Sequence, residues 1–236
     1  MHKPPVYVED LQLKGLRILR RRDLPGYSTD SVLLADFANF GARDRIADIG
    51  TGTGVLPLLL FGRGKGADFI ALEIDGDLAA LAHESVVLNG LENVIQVLHV
   101  DARTAGPGLD AGTFHGAVCN PPYHRGAGRA DKHQDTLTYL DMAGCASRLL
   151  RNGGTLCCCA PGEQILALCD ALRSKGLEPK RMRMVSSLPD RPPFLCLVEA
   201  RKGARPGLRI EAPLLLYDAP GHVSQEYRRI YHLEEE

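Results

Sequence analysis

The chain has almost no net charge and no long apolar run, and each absence excludes something. Lys plus Arg number 28 against 29 Asp plus Glu, a formal net charge of −1, so no global field announces a nucleic-acid partner. No apolar stretch approaches the roughly 20 residues of a membrane span. Met1-His2-Lys3-Pro4-Pro5 offers no signal-peptide core, and a cytoplasmic protein with no membrane partner is expected. The seven cysteines show no paired spacing for zinc, and an odd number is a poor disulfide framework. Cys157-Cys158-Cys159 are adjacent, but successive strand residues point to opposite faces, so the three cannot hold one ion. With Cys119 and Cys196 they read as small buried hydrophobes, and no metal is expected. Internal repeats and linkers are lacking too.

What is present suits one sizeable α/β domain: 236 residues, 44% hydrophobic and 24% charged. Residues 11–22 alternate around Gly15 and read as a short hairpin. Thr29 or Asp30 can cap a helix over Ser31–Phe40. Strands are expected at 45–49, 68–74, 94–100 and 114–119, then at Thr155–Ala160, Arg181–Ser186 and Phe194–Ala200. Helices are expected over Val55–Phe61, Asp77–Asn89, Thr136–Leu150, Gly162–Ser174 and Ser224–Tyr231. Strands alternating with helices argue for a doubly wound, mainly parallel sheet, whose ligands bind beyond the carboxyl ends of the strands. A single domain is expected, with a hairpin-and-helix extension over 1–44, a catalytic core over 45–200 and a C-terminal extension over 201–236.

The polar residues gather where such a sheet binds ligands. Asp48, Glu73, Asp101 and Asn120 close the first four core strands. Gly50, Gly52 and Gly54 follow Asp48 and let the backbone approach a ligand near a helix N-terminus. Their spacing is not the dinucleotide G-x-G-x-x-G, and Asp48 would repel a pyrophosphate; it suits a cationic, zwitterionic ligand. Glu73 stands where nucleotide-binding sheets place an acid for ribose hydroxyls, with Asp75 as the competitor. Asp101, with the Ala102 N–H beside it, is placed to meet an adenine edge. Asn120-Pro121-Pro122-Tyr123 follows the buried run Ala117-Val118-Cys119, and a strand end needs none of these four residues for stability.

Together, D-I-G-T-G-T-G, the acid after strand two, V-D-A after strand three and N-P-P-Y after strand four resemble the class I S-adenosylmethionine (SAM)-dependent methyltransferases that methylate planar amino groups. G-Y-S-T-D-S-V-L-L-A-D-F (26–37), G-A-G-R (126–129), L-V-E-A-R-K-G (197–203) and A-P-L-L-L-Y-D (212–218) resemble the family of tRNA adenine-N6 methyltransferases that act beside the anticodon of a valine tRNA. The resemblance implies an α/β, Rossmann-like fold with a seven-stranded, mainly parallel sheet and helices on both faces. It also implies that Asp48, Gly50, Gly52 and Gly54 cradle the methionine part of SAM, Glu73 the ribose, and Asp101 with Ala102 the adenine. Two positions depart from the family: Ser85 stands where Asn is common, and His133-Gln134-Asp135 where His-Glu is usual.

The chemistry gives the Asn-Pro-Pro-Tyr stretch a reason. An adenine amino nitrogen is a poor nucleophile because its lone pair is delocalised into the ring. The Asn120 side-chain oxygen and the Pro121 carbonyl can each accept one amino hydrogen and draw the nitrogen toward a pyramidal shape. Pro121 and Pro122 make these acceptors rigid. Tyr123 offers a stacking face, worth roughly 1–3 kcal/mol for a base–aromatic pair. The target base must be extruded or already unstacked, as in an RNA loop. Four basic clusters stand out: Lys14 to Arg22; Arg125, Arg129 and Lys132; Lys180 to Arg183; and Arg201 to Arg205. The one beside the site is the expected tRNA contact, through Arg125 and Arg129.

Other functions share these residues. A protein glutamine N5-methyltransferase also acts on a planar amino group, but usually carries a substantial helical domain before the glycine loop, where this chain has a short segment. DNA adenine or rRNA guanine methylation stays open, as does a non-catalytic SAM- or RNA-binding module, though a module would not need the acceptor geometry.

Overall fold

The computed structural model describes residues 4–104, 109–121 and 137–233. Pro122, Tyr123, Arg125, Arg129, Lys132 and the segment 133–135 lie outside the described residues, so their expected roles are not tested by its geometry. The N-terminal hairpin pairs β1 (Val6–Asp10) with β2 (Arg17–Arg21), antiparallel. Then come α1 (Thr29–Phe37), β3 (Arg45–Ile49), α2 (Val55–Gly62), β4 (Asp68–Glu73), α3 (Gly76–Leu88), β5 (Ile95–His99) and β6 (Phe114–Cys119). The second half holds α4 (Tyr139–Leu149), β7 (Leu150–Pro161), α5 (Ile165–Ser174), β8 (Leu177–Ser186) and β9 (Leu195–Lys202). Short strands β10 (Arg209–Ile210), β11 (Leu214–Leu215), β12 (Tyr217–Ala219) and β13 (His222–Val223) lead to α6 (Gln225–Tyr231).

The main sheet has nine strands, in the order β10-β8-β9-β7-β6-β3-β4-β5, with β11 also paired to β8. Without the two-residue strands β10 and β11 it is the expected seven-stranded sheet. Strands β5, β4, β3, β6 and β7 run parallel; β9 is antiparallel to both β7 and β8. Strand order reverses between β3 and β6, and crevices form outside the carboxyl ends at such a switch point.

Two apolar layers sandwich the sheet, and alternation along the strands sorts side chains between them. Cys157 and Cys159 join the layer built with α1, α2 and α6, whereas Cys158 joins the layer built with α4 and α5. The cysteines are free thiols, and burial raises those of Cys157 and Cys196 to about 12, so they remain protonated hydrophobes.

The hairpin differs from the expected one. Its first strand is Val6–Asp10, and residues 11–16 form the turn, with Gln12, Lys14 and Gly15 at positive φ. Leu13 and Leu16 of that turn are buried against α2, where a side chain at Gly62 would clash with both. Alternation around Gly15 thus reported a loop pinned down by leucines. Ser85, the departure in α3, ties that helix to the hairpin. Its hydroxyl accepts the Leu19 N–H at 3.0 Å and donates to the Leu81 carbonyl. Nearby, Asn89 accepts from the Arg17 N–H and donates to the Arg17 carbonyl, standing in for a strand partner along β2.

Helix α1 begins two residues before the expected Ser31, with Ser28 at its N-cap position. Its residues Ser31 to Ala35 and Phe37 are buried. Its orphan C-terminal carbonyls are met by cations: Lys65 donates to the carbonyls of Ala35 and Asp36, and Arg181 donates to that of Phe37 at 2.6 Å while lying over the Phe37 ring. Asp36 pairs with Arg63 at 3.1 Å and with Arg229 of α6 at 2.9 Å. The far end of α1 is therefore fixed to α2, β8 and α6.

Candidate active site

Beyond the carboxyl ends of β3–β6 lies a cavity of about 370 Å³, within the size range of small-molecule sites. Gly50, Gly52, Glu73, Asp101, Asn120 and Pro121 are on its wall, and Ala102 joins them. Asp48 and Gly54, expected to touch the ligand, are not on that wall. Gly54 faces α3, where a Cβ would sit 3.1 Å from the Ala82 Cβ, and its φ of +82° starts α2. Asp48 is wholly buried beside Thr51, one layer behind the wall.

The glycine loop owes its shape to backbone contacts that only glycine permits. Gly50 and Gly52 have φ of +76° and +58°. The N–H groups of Gly50 and Thr51 both donate to the Leu72 carbonyl at 2.9 Å, folding the loop over β4. A Cβ on Gly52 would meet nothing within 4 Å, so the loop leaves open space there rather than packed protein. Glu73 ties the loop down from β4: its carboxylate accepts the Gly52 N–H at 2.7 Å and the Asp75 N–H at 2.9 Å. A carboxylate has about four acceptor positions, so two hydroxyls can still be received.

Asp48 is the electrostatic anomaly. Among the described residues neither of its oxygens has a hydrogen-bond partner. Burial pushes its carboxyl up to about 7, the Glu73 charge adds to the rise, and the Thr51 side chain acts in the opposite sense. An unpaired buried carboxylate is costly unless a cation balances it. Asp101 contrasts with it: Arg103 closes on it with a backbone N–H at 2.9 Å and a guanidinium contact at 2.7 Å, holding the carboxyl below its usual range. Sequence reasoning missed Arg103, although it stands two residues from Asp101.

Asn120 follows β6 and turns its amide into a cluster drawn from three elements. Its Nδ2 donates to the Ser31 hydroxyl of α1 at 2.9 Å, and its Oδ1 accepts from the Cys159 thiol of β7 at 3.2 Å. Ser31 is 3% exposed and on the cavity wall, as are Tyr27 and Ser28 just before α1. The hairpin holds that segment in place: Tyr27 donates to Glu9 at 2.7 Å, and Arg20 lies 5.3 Å from the centre of the Tyr27 ring while pairing with Glu9. Ser31 and Tyr27 lie in the segment 26–37 that resembles the tRNA methyltransferases, and that resemblance was the available signal.

The basic clusters away from the site are largely committed within the fold. Arg20 pairs with Glu9, Arg21 with Asp23 and Asp77, Arg181 with Glu199 and Glu211, and Arg183 with Glu226. Lys202 donates to the carbonyls of Ser147 and Leu150. No group of metal-ligating side chains occurs among the described residues, and none of their helices is long and apolar enough to cross a membrane.

The donor set fits SAM. A cationic, zwitterionic ligand can balance Asp48, its ribose has acceptor positions left on Glu73, and the open space over Gly52 admits it. Known proteins point the same way. A tRNA1(Val) (adenine(37)-N6)-methyltransferase of Parabacteroides distasonis is 33% identical over 72% of this chain and 74% of its own length. The fold is shared with a predicted O-methyltransferase from Agrobacterium tumefaciens (TM-score 0.72, 24% identity, 86% of this chain and 96% of that one). It is shared also with a T. thermophilus 16S rRNA N2 G1207 methyltransferase solved with AdoMet and guanosine (TM-score 0.60, 20% identity, 86% and 51%). The methyltransferase small domain model matches residues 28–166, more than half of the chain. The chain belongs to the methyltransferase small domain family.

Proposed function

We propose that this protein transfers a methyl group from SAM to the exocyclic N6 amino group of an adenine in tRNA, an anticodon-loop adenosine, in the cytoplasm. One observation carries the reading: Asn120 and Pro121 open on the same cavity as the glycine loop and Glu73, with the unpaired Asp48 carboxylate behind it. The relatives that bear the name tRNA1(Val) (adenine(37)-N6)-methyltransferase support the acceptor.

SAM supplies an activated methyl group on a sulfonium centre. In the proposed assignment Asp48 balances the ammonium of the methionine part, and Gly50 and Gly52 keep the wall open. Gly54 acts indirectly, by starting α2 at the angle that carries the loop. Glu73 receives the ribose hydroxyls, and Asp101 with the Ala102 N–H meets the adenine. Asn120 Oδ1 and the Pro121 carbonyl accept the two amino hydrogens of the target base. Pro121 and Pro122 stiffen that acceptor pair, Tyr123 stacks on the base, and Arg125 and Arg129 contact the RNA. As the nitrogen–methyl bond forms, the sulfur–methyl bond breaks and S-adenosylhomocysteine leaves; the proton lost from the methylated nitrogen passes to water, no general base is assigned, and preorganised acceptors with in-line placement supply the rate enhancement.

The acceptor is tested by incubating the protein with methyl-labelled SAM and separate pools of tRNA, rRNA, DNA and release factors. Label is expected in tRNA alone, as N6-methyladenosine. Label confined to release factor would replace the reading with glutamine methylation.

A further inference from the structure

We propose that Ser31 is a positioning residue for methyl transfer, holding the Asn120 amide plane in the orientation that receives the acceptor amino group. The inference rests on the methyl-transfer reading and adds a residue outside the Asn-Pro-Pro-Tyr stretch, 89 positions away in sequence.

The torsion that turns an Asn amide plane is broad and roughly two-fold, so an amide held only at Cβ samples a wide arc. Accepting two hydrogens from one nitrogen demands more: the Asn120 oxygen must keep a fixed direction relative to the Pro121 carbonyl. Contacts with two of the described residues narrow the arc. One is the Cys159 thiol at 3.2 Å, and a thiol is a weak donor. The other is the Ser31 hydroxyl at 2.9 Å, a full-strength partner.

The mount of that hydroxyl is what favours a positioning role. Ser31 is 3% exposed on a helix whose neighbours Val32, Leu33, Leu34 and Ala35 are all buried. Buried hydroxyls need partners, and the partner here is a side chain of the site, not a helix carbonyl. The helix is itself anchored at its other end by Lys65, Arg181 and the Asp36 pairs with Arg63 and Arg229. Ser31 therefore cannot drift with a loop: it transmits the position of a clamped helix to the amide. Such a contact lowers the barrier to transfer without adding to SAM affinity, because the preorganised group acts on the acceptor.

The experiment uses the full chain, methyl-labelled SAM and bulk tRNA, with single-turnover rates, SAM Kd and Tm measured for Ser31→Ala, Ser31→Cys, Asn120→Ala and the double variant Ser31→Ala/Asn120→Ala. Ser31→Ala is expected to slow the single-turnover rate by about tenfold, in line with the cost of a misplaced group, with SAM Kd and the KM for tRNA within about twofold. Ser31→Cys, which keeps the volume and a weak partner, should fall between serine and alanine; it also serves if the alanine variant folds poorly. In the Asn120→Ala background, Ser31→Ala should change the residual rate by less than about twofold, because the residue it acts through is gone. A Ser31→Ala rate within twofold of wild type would overturn the proposal, as would a loss that appears wholly in SAM Kd or that multiplies with that of Asn120→Ala. None of these outcomes touches the methyl-transfer reading, which fails instead if Asn120→Ala itself leaves transfer undiminished or if wild-type protein puts no label into tRNA.

Discussion

At the ends of β3, β4 and β5 the cavity is framed by carboxylates and glycine backbone; at the end of β6 it is framed by an amide, a proline and a serine from α1. The first region carries charge that the protein does not fully balance. Glu73 is engaged by two backbone N–H groups and Asp101 by Arg103, but Asp48 is buried with neither oxygen paired. The second region is built of neutral groups that are already bonded, Asn120 to Ser31 and Cys159. The difference separates two roles. A site that must bind a cation gains from an unbalanced carboxylate, which the ligand relieves on arrival. A site that must orient a weak nucleophile gains from groups that do not move.

The largest effect that can break this comparison is expected from Asp48→Asn. The folded-state carboxyl sits at about 7 against an ordinary 3.8, so between these values the folded protein holds a proton that the unfolded chain has released. The Asp48 contribution to ligand-free stability is therefore fully present below about pH 4 and is lost as pH rises through about 7, by an amount on the order of 2–4 kcal/mol. Asp48→Asn should flatten that pH profile, raise the Tm of the ligand-free protein at pH 8, and weaken SAM binding at least tenfold; thermal scans from pH 4 to 8 with and without SAM measure all three. A variant that kept both the pH slope and the SAM affinity would remove Asp48 from the account.

Asp36→Ala probes the other region from its base. It leaves the largely buried Arg63 guanidinium without its carboxylate and should cost about 3 kcal/mol, as for other broken buried pairs. SAM Kd, measured well below Tm, should stay within about twofold while the transfer rate falls. Next, Gly54→Ala forces a side chain to φ +82° and to 3.1 Å from the Ala82 Cβ. A loss of about 1–2 kcal/mol is expected by chemical denaturation, together with weaker SAM binding, because the loop it supports lines the cavity. Smallest of all, Arg229→Ala removes a partner that is 59% exposed and should change stability by less than about 1 kcal/mol.

The cavity's strand ends were legible in the sequence because buried parallel strands are nearly uniform apolar runs, so Asp48, Glu73 and Asn120 stand out against them. The loop Gly50–Gly54 was legible as a turn that needs glycine, but not which glycines reach the cavity: Gly54 packs on α3 instead. The start of the hairpin was not. Val6, Tyr7 and Val8 are all more than 40% exposed, so β1 lacks the one-sided burial that alternation reports. The ion pairs of the other basic clusters were not legible, because their partners are far along the chain; Arg181 meets Glu199 only through the register of β8 on β9. Ser31 with Asn120, and Asn120 with Cys159, are likewise products of topology, and no local pattern announces a pairing 89 residues apart.

The central claim is that the Asn120 amide serves transfer and the β3–β5 edge serves SAM, so the most direct measurement is Asn120→Ala assayed for both at once. Methyl transfer to tRNA should fall at least about a hundredfold, to a small residual single-turnover rate, while SAM Kd, by calorimetry, stays within about twofold of wild type. Transfer at the wild-type rate, or SAM binding lost together with transfer, would contradict the division of the cavity on which the account rests.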